Sequence, residues 1–106
     1  MDYTLSMFEI IQSDTFKHWR AGLKDRQAAL RISARIRRLS MGNPGDVKSV
    51  RGGVSELRID CGPGYRVYFM RSGPLVILLL AGGDKRTQDA DIERAIAIAK
   101  NWKDEP

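Results

Sequence analysis

Arg58 and Arg66 are the residues whose type and setting point most directly to chemistry. Each interrupts a run that otherwise reads as a β-strand, Glu56-Leu57-Arg58-Ile59-Asp60 and Tyr65-Arg66-Val67-Tyr68-Phe69. A strand is normally apolar on its core face, so a cation inside one implies that the other face meets solvent or an anion. The planar guanidinium fork matches phosphate, and fixed cations stabilise charge that develops on a transferring phosphoryl group. Lys48, Lys85 and Arg86 add positive charge nearby, while Glu56 is the acid best placed to offset it. The same residues also fit a solvated sheet face carrying an Arg58–Glu56 or an Arg66–Asp60 pair, and both readings stay open at this level.

Strand register decides between cooperation and separation. Alternation puts Glu56, Arg58 and Asp60 on one face of the first run and Arg66, Tyr68 and Met70 on one face of the second. The arginines become cross-strand neighbours if Ile59 pairs with Tyr65 around the loop Asp60-Cys61-Gly62-Pro63-Gly64. A slip of one residue would send them to opposite faces.

The elements that must hold these residues follow from apolar spacing. Residues 3–12, with Tyr3, Leu5, Phe8, Ile10 and Ile11, suit a first strand, and Met7 is an alternative start. Ser13 or Asp14 caps a short helix through Phe16, Trp19 and Leu23. A longer helix spans about Lys24 to Ser40 with Ala28, Ala29, Ile32, Ile36 and Leu39 on its buried face, and Gly42-Asn43-Pro44-Gly45 ends it. Strands near Val47–Arg51, Val54–Asp60, Tyr65–Arg71 and Leu75–Ala81 form an antiparallel meander, with Gly82-Gly83 read as a turn that delivers Lys85 and Arg86 to the sheet edge. Thr87 or Asp89 caps a last helix with Ile92, Ala95, Ile96, Ala99 and Trp102 as its apolar set. The expected fold class is α+β: strand, two helices, four strands and a helix, with the helices on one face of a largely antiparallel sheet and the other face partly open.

Composition bounds the function. A chain of 106 residues accommodates one compact domain, with residues 1–6 read as a peripheral N-terminal extension. The net charge of +5 is uneven: residues 13–40 carry eight Lys/Arg against two Asp/Glu, and both ends are acidic. A basic body of this size suits a polyanionic partner such as nucleic acid, although solubility alone also accounts for the charge. Cys61, the single cysteine, excludes an internal disulfide and a multi-cysteine metal site. The acidic start and the short apolar run Leu75–Ala81 argue against a signal peptide and a membrane span, so a cytoplasmic location is expected.

Three further motifs carry less weight. His18 lies far along the chain from the strand cations, so a histidine-dependent nuclease is disfavoured. Cys61 has no identifiable activating partner. Gly82-Gly83-Asp84-Lys85-Arg86 lacks the spacing and the Ser/Thr of a P-loop.

Taken in order, Gly45-Asp46-Val47-Lys48, Val54-Ser55-Glu56-Leu57-Arg58-Ile59, Gly62-Pro63-Gly64-Tyr65-Arg66-Val67-Tyr68-Phe69 and Gly82-Gly83-Asp84-Lys85, with Gln88 and Asp91-Ile92, resemble toxins of the RelE/ParE superfamily. The likeness is to the HigB-like addiction module killer proteins related to phage Gp49 proteins, and it covers nearly everything after Met7. It implies a RelE-like fold and a toxin of a type II toxin-antitoxin module. The implied activity is that of a ribosome-dependent endoribonuclease that cuts mRNA without metal or cofactor. The matching catalytic positions are Arg58, Arg66 and Lys85. Attack by a ribose 2′-hydroxyl on the adjacent phosphorus needs charge stabilisation from the arginines, a proton donor such as Lys85 and a proton acceptor. Glu56 or a lysine of lowered pKa suits the last role better than an arginine does.

RNA contacts are expected from Lys48, Arg86 and a helical stripe of Arg31, Arg35 and Arg38, which a merely solvated helix face would also explain. The RelE toxin stacks a late tyrosine on its substrate base, and no tyrosine follows Tyr68 in this sequence. Tyr68, on the Arg66 face, is the expected replacement, while Trp102 is spaced as a core residue. The resemblance also implies a HigA-like helix-turn-helix antitoxin as partner, with Leu30 as a contact. A ParE-like DNA gyrase inhibitor and a non-catalytic RNA-binding regulatory module are the competing functions.

Overall fold

The computed structural model describes residues 7–103, so Tyr3 and Leu5 of the expected first strand lie outside the described residues. Strand β1 spans Glu9–Gln12, helix α1 Asp14–Ala21 and helix α2 Arg26–Ser40. Strands β2 (Val47–Ser49), β3 (Ser55–Ile59), β4 (Tyr65–Ser72) and β5 (Val76–Asp84) follow. A 3₁₀ turn (Lys85–Thr87) then leads into helix α3 (Gln88–Lys103). Ser13 and Asp25 start α1 and α2 by accepting hydrogen bonds from the backbone N–H of Phe16 and Ala28, which satisfies donors that a helix start leaves free. The architecture is α+β, an open five-stranded sheet in the order β1-β5-β4-β3-β2. The last four strands form the expected antiparallel meander, and β1 joins the β5 edge in parallel.

The helices do not share one face. Phe16 of α1 and Ile32 and Leu39 of α2 pack with Leu57, Ile59, Val67, Ile77 and Leu79. Ile92, Ala95 and Ala99 of α3 pack with Val54, Tyr68, Leu78 and Leu80 on the other side. The expectation of helices on one face is therefore corrected. The lack of alternation in Leu75–Leu80 already marked a strand covered on both sides, and the apolar stripe of α3 supplies the second cover.

Gly82-Gly83 is likewise a strand segment rather than a turn. A bulge in β5 shifts the register after Phe69↔Leu79, so that Tyr68 pairs with Ala81, Val67 with Gly82 and Arg66 with Gly83. A Cβ on Gly82 would collide with the Trp19 indole of α1, and one on Gly83 with the Asp91 carboxylate of α3. The two glycines let a helix approach the backbone from each side. Among the described residues no helix is long and apolar enough to cross a membrane.

Candidate functional site

The register is the one that joins the arginines: Ile59 pairs with Tyr65, and Arg58 lies directly opposite Arg66. Gly62 and Gly64, at φ +54° and +84°, make the tight connection that fixes this pairing, in a backbone region costly for other residues. Two rows of side chains result on the α3 face. One is Arg58, Arg66 and Gly83, extended by Asp46, whose carbonyl accepts from the Arg58 backbone N–H at 2.9 Å. The other is Lys48, Glu56, Tyr68 and Ala81.

The arginines find different carboxylates from those the sequence suggested. Arg58 donates from Nε and Nη2 to Asp46 Oδ1, at 3.2 and 3.0 Å, in an exposed pair. Arg66 is 8% exposed, and its Nε lies 3.8 Å from Glu56 Oε1. Its Nη1 donates to the carbonyls of Gly64 and Tyr65 at 3.1 Å, while Nε has no hydrogen-bond partner among the described residues. A buried guanidinium left part-satisfied in this way keeps a strong demand for an acceptor. Lys85 completes the cluster: a Cβ on Gly64 would sit 3.4 Å from both Arg66 Nη1 and Lys85 Cδ, so the glycine lies between the two cations. Lys85 is exposed and makes no ion pair or hydrogen bond with the described residues.

Glu56, one candidate for the proton acceptor, is 1% exposed, so its carboxylate is closed off from a ribose hydroxyl at the surface. Gln88 Nε2 donates to Glu56 Oε2 at 2.7 Å and the Tyr68 hydroxyl donates to the same oxygen at 3.3 Å, so the carboxylate ties the start of α3 to the sheet beneath Arg66. Tyr68 is wholly buried, and the stacking role expected of it is corrected too. Burial and the Glu56 carboxylate push its phenol far above the ordinary tyrosine value.

The remaining cations separate by environment. Arg86 is held by its neighbour: Nε and Nη2 donate to Asp84 at 3.1 and 2.9 Å, which holds the Asp84 carboxyl below the usual carboxylate range. Arg35 is not part of a free stripe with Arg31 and Arg38. It donates to the carbonyls of Arg58, Pro44 and Asp46, bracing the loop before β2 against β3, and burial lowers its pKa. Arg31, Arg38 and Lys48 are exposed.

Sequence reasoning missed Asp46 and Gln88 as parts of this site. Both stood in the motifs of the resemblance, but only the pairing of β2 with β3 and the docking of α3 reveal what they touch. The assembled surface is a shelf in which Arg58 lies across the strand pair from Arg66 and Lys85 lies beside Arg66 at Gly64, over a network of buried Glu56 and Tyr68 with half-buried Gln88. Such a shelf is able to hold a phosphodiester and to oppose charge that develops on it.

No family model matches the chain. It is 51% identical over 86 residues to an uncharacterized protein of Haemophilus influenzae, covering 81% of this chain and 87% of that one. The chain belongs to the same family as this Haemophilus influenzae protein.

Proposed function

We propose that the chain is a HigB-like toxin of the RelE/ParE superfamily, with the RelE-like version of the α+β fold, acting in the cytoplasm as a ribosome-dependent mRNA endoribonuclease. The observation that carries this reading is the cross-strand pair Arg58–Arg66 with Lys85 beside it at Gly64. Two guanidinium groups on adjacent strands, one of them buried and incompletely satisfied, favour a phosphodiester over water.

In the reaction the ribose 2′-oxygen attacks the neighbouring phosphorus, a P–O bond forms as the bond to the 5′-oxygen breaks, and a 2′,3′-cyclic phosphate and a 5′-hydroxyl result. Arg66 and Arg58 oppose the negative charge that builds on the non-bridging oxygens, and Lys85 delivers a proton to the leaving 5′-oxygen. With Glu56 sealed beneath Arg66, Asp46 is the exposed carboxylate beside Arg58 able to accept the 2′-hydroxyl proton. Glu56 and Gln88 are positioning residues. A HigA-like helix-turn-helix antitoxin is the partner that this reading entails.

The test is brief induction in cells followed by mapping of mRNA 5′ ends, with Arg58→Ala at a half-buried position and Lys85→Ala at an exposed one as variants. Codon-phased cuts in the parent, reduced at least tenfold in both variants, are expected. Intact messages with broken chromosomes would replace this reading with gyrase inhibition. Intact messages with salt-sensitive RNA binding would replace it with a non-catalytic RNA-binding module.

A further inference from the structure

At one end of the sheet face covered by α1 and α2, three elements each carry a polar side chain close to where their own repeat places core residues. In β1, Ile10 packs against that core, and Gln12 follows it on the same face of the strand. In α1, Arg20 comes one turn after buried Phe16. In α2, Ser33 stands three residues before Ile36, which packs against the same core. Gln12, Arg20 and Ser33 converge on a cavity of about 250 Å³ whose other walls are Ile10, Phe16, Ile36 and Leu79. Phe16 and Leu79 are each 1% exposed and make the floor. Gln12 is exposed and Arg20 and Ser33 are half-buried, so the polar groups stand at the mouth.

These polar groups are only partly engaged. Arg20 Nη2 donates to Ser33 Oγ, which ties α1 to α2 and holds the guanidinium at the rim. Arg20 makes no ion pair with the described residues, and no acidic residue lines the cavity. The Gln12 side-chain amide makes no hydrogen bond with the described residues. A guanidinium with unused donors, beside a hydroxyl and a free amide, suits a planar monoanion. Water satisfies that rim but leaves the apolar floor uncovered, and inorganic phosphate does the same. A molecule with a carboxylate at one end and an apolar body at the other meets both needs. A cavity of about 150 Å³ holds benzene, so this larger one takes a carboxylate on a body of roughly six to eight carbons.

We infer that this cavity is a binding site for a small monocarboxylic acid with an apolar body, its carboxylate held by Arg20 with Ser33 and Gln12 and its body laid against Phe16, Ile36 and Leu79. Bound there, the acid lies between β1, α1 and α2 and stabilises the folded chain by mass action. The inference does not depend on the chemistry proposed for Arg58 and Arg66, which lie on the α3 face of the sheet.

The probes are hexanoate, hexan-1-ol and inorganic phosphate, each titrated into the isotope-labelled full chain at neutral pH and constant ionic strength, with backbone amide shifts read by NMR. Hexanoate should give saturable shifts at Gln12, Phe16, Arg20 and Ser33, half-complete at about 1 mM or below. Hexan-1-ol should bind roughly fivefold more weakly, since it lacks the charge that Arg20 meets. Arg20→Gln should weaken hexanoate roughly tenfold and leave hexan-1-ol unchanged, which separates the charge contact from the cavity. Ile36→Phe, which fills the cavity, should abolish the binding of both. Circular dichroism shows whether each variant is folded, and Arg20→Gln carries the test if Ile36→Phe does not fold. No saturable shift by about 20 mM hexanoate overturns the proposal, and so does equal affinity for hexanoate and hexan-1-ol. Phosphate that moves the same amides as strongly as hexanoate overturns it in favour of a bare anion contact. A tetrapeptide with a free terminal leucine carboxylate that binds more tightly than hexanoate overturns it in favour of a protein terminus. Loss of mRNA cleavage in Lys85→Ala with hexanoate binding intact separates this inference from the nuclease reading.

Discussion

Arg66 and Arg38 carry the same charge on opposite sides of one sheet. Arg66 lies beneath the start of α3, facing the buried carboxylate of Glu56 and two backbone carbonyls, so its position is set by the sheet and by α3 together. Arg38 projects from α2 into solvent with no acid in its helix to meet it. A cation held in place is prepared for a small anion that must be gripped at one geometry, whereas mobile exposed cations suit a broad acidic surface. The positive charge of the chain thus includes an arginine fixed within the sheet and others exposed along a helix. A net charge of +5 alone would not separate them.

The sharpest test of how firmly Arg66 is held removes its carboxylate and that of its cross-strand neighbour Arg58 in turn. Glu56→Ala leaves Arg66, the Tyr68 hydroxyl and the Gln88 amide unmatched in the interior, and a loss of about 3 to 5 kcal/mol in urea unfolding is expected. Asp46→Ala breaks an exposed pair and should cost under about 1 kcal/mol. Equal losses from the two would mean that Arg66 is no more fixed than Arg58. Next in size is Gly83→Ala, which drives a methyl group into the Asp91 carboxylate over Arg66's strand partner and should cost roughly 1 to 3 kcal/mol by thermal unfolding.

Within α2 the same contrast recurs between neighbours. Arg35→Ala removes donors from two loop carbonyls and one in β3, with an expected cost of roughly 1.5 kcal/mol, whereas Arg38→Ala should stay within about 0.5 kcal/mol. A chemical-denaturation midpoint that moves as far for Arg38→Ala would show that Arg38 is structural. The smallest effect concerns alkaline pH. The folded-state pKa of Tyr68 is raised, so its contribution is fully present below the ordinary tyrosine value near 10 and is lost as pH rises beyond it. Stability measured between pH 8 and 11 should fall less steeply in Tyr68→Phe than in the parent.

Much of this was legible from residue order. The spacing of Ala28, Ile32, Ile36 and Leu39 announced α2, and Gly62-Pro63-Gly64 announced a tight connection, while the choice between the joined and the slipped register came only with the β3–β4 pairing. Three further features were not legible. Gly82-Gly83 reads as a turn because glycine pairs usually are one, and only the approach of Trp19 and Asp91 from opposite sides shows why a strand needs two residues without side chains. Tyr68 and Glu56 alternate with apolar residues as a solvated face would, and α3 then buries them. Arg35 shares helical spacing with Arg31 and Arg38, but the chain reversal through Pro44 and Asp46 brings carbonyls to it alone.

By itself the sequence determined the elements, the Ser13 cap and the excess of arginine, because each depends on residue type or on contacts within a turn or a few residues. The tertiary structure alone decided which arginines are held and which are free. That choice depends on where α3 and the loop before β2 place Glu56, Gln88 and backbone carbonyls, groups distant in sequence whose effect on a charge vanishes unless the fold brings them within a few ångströms.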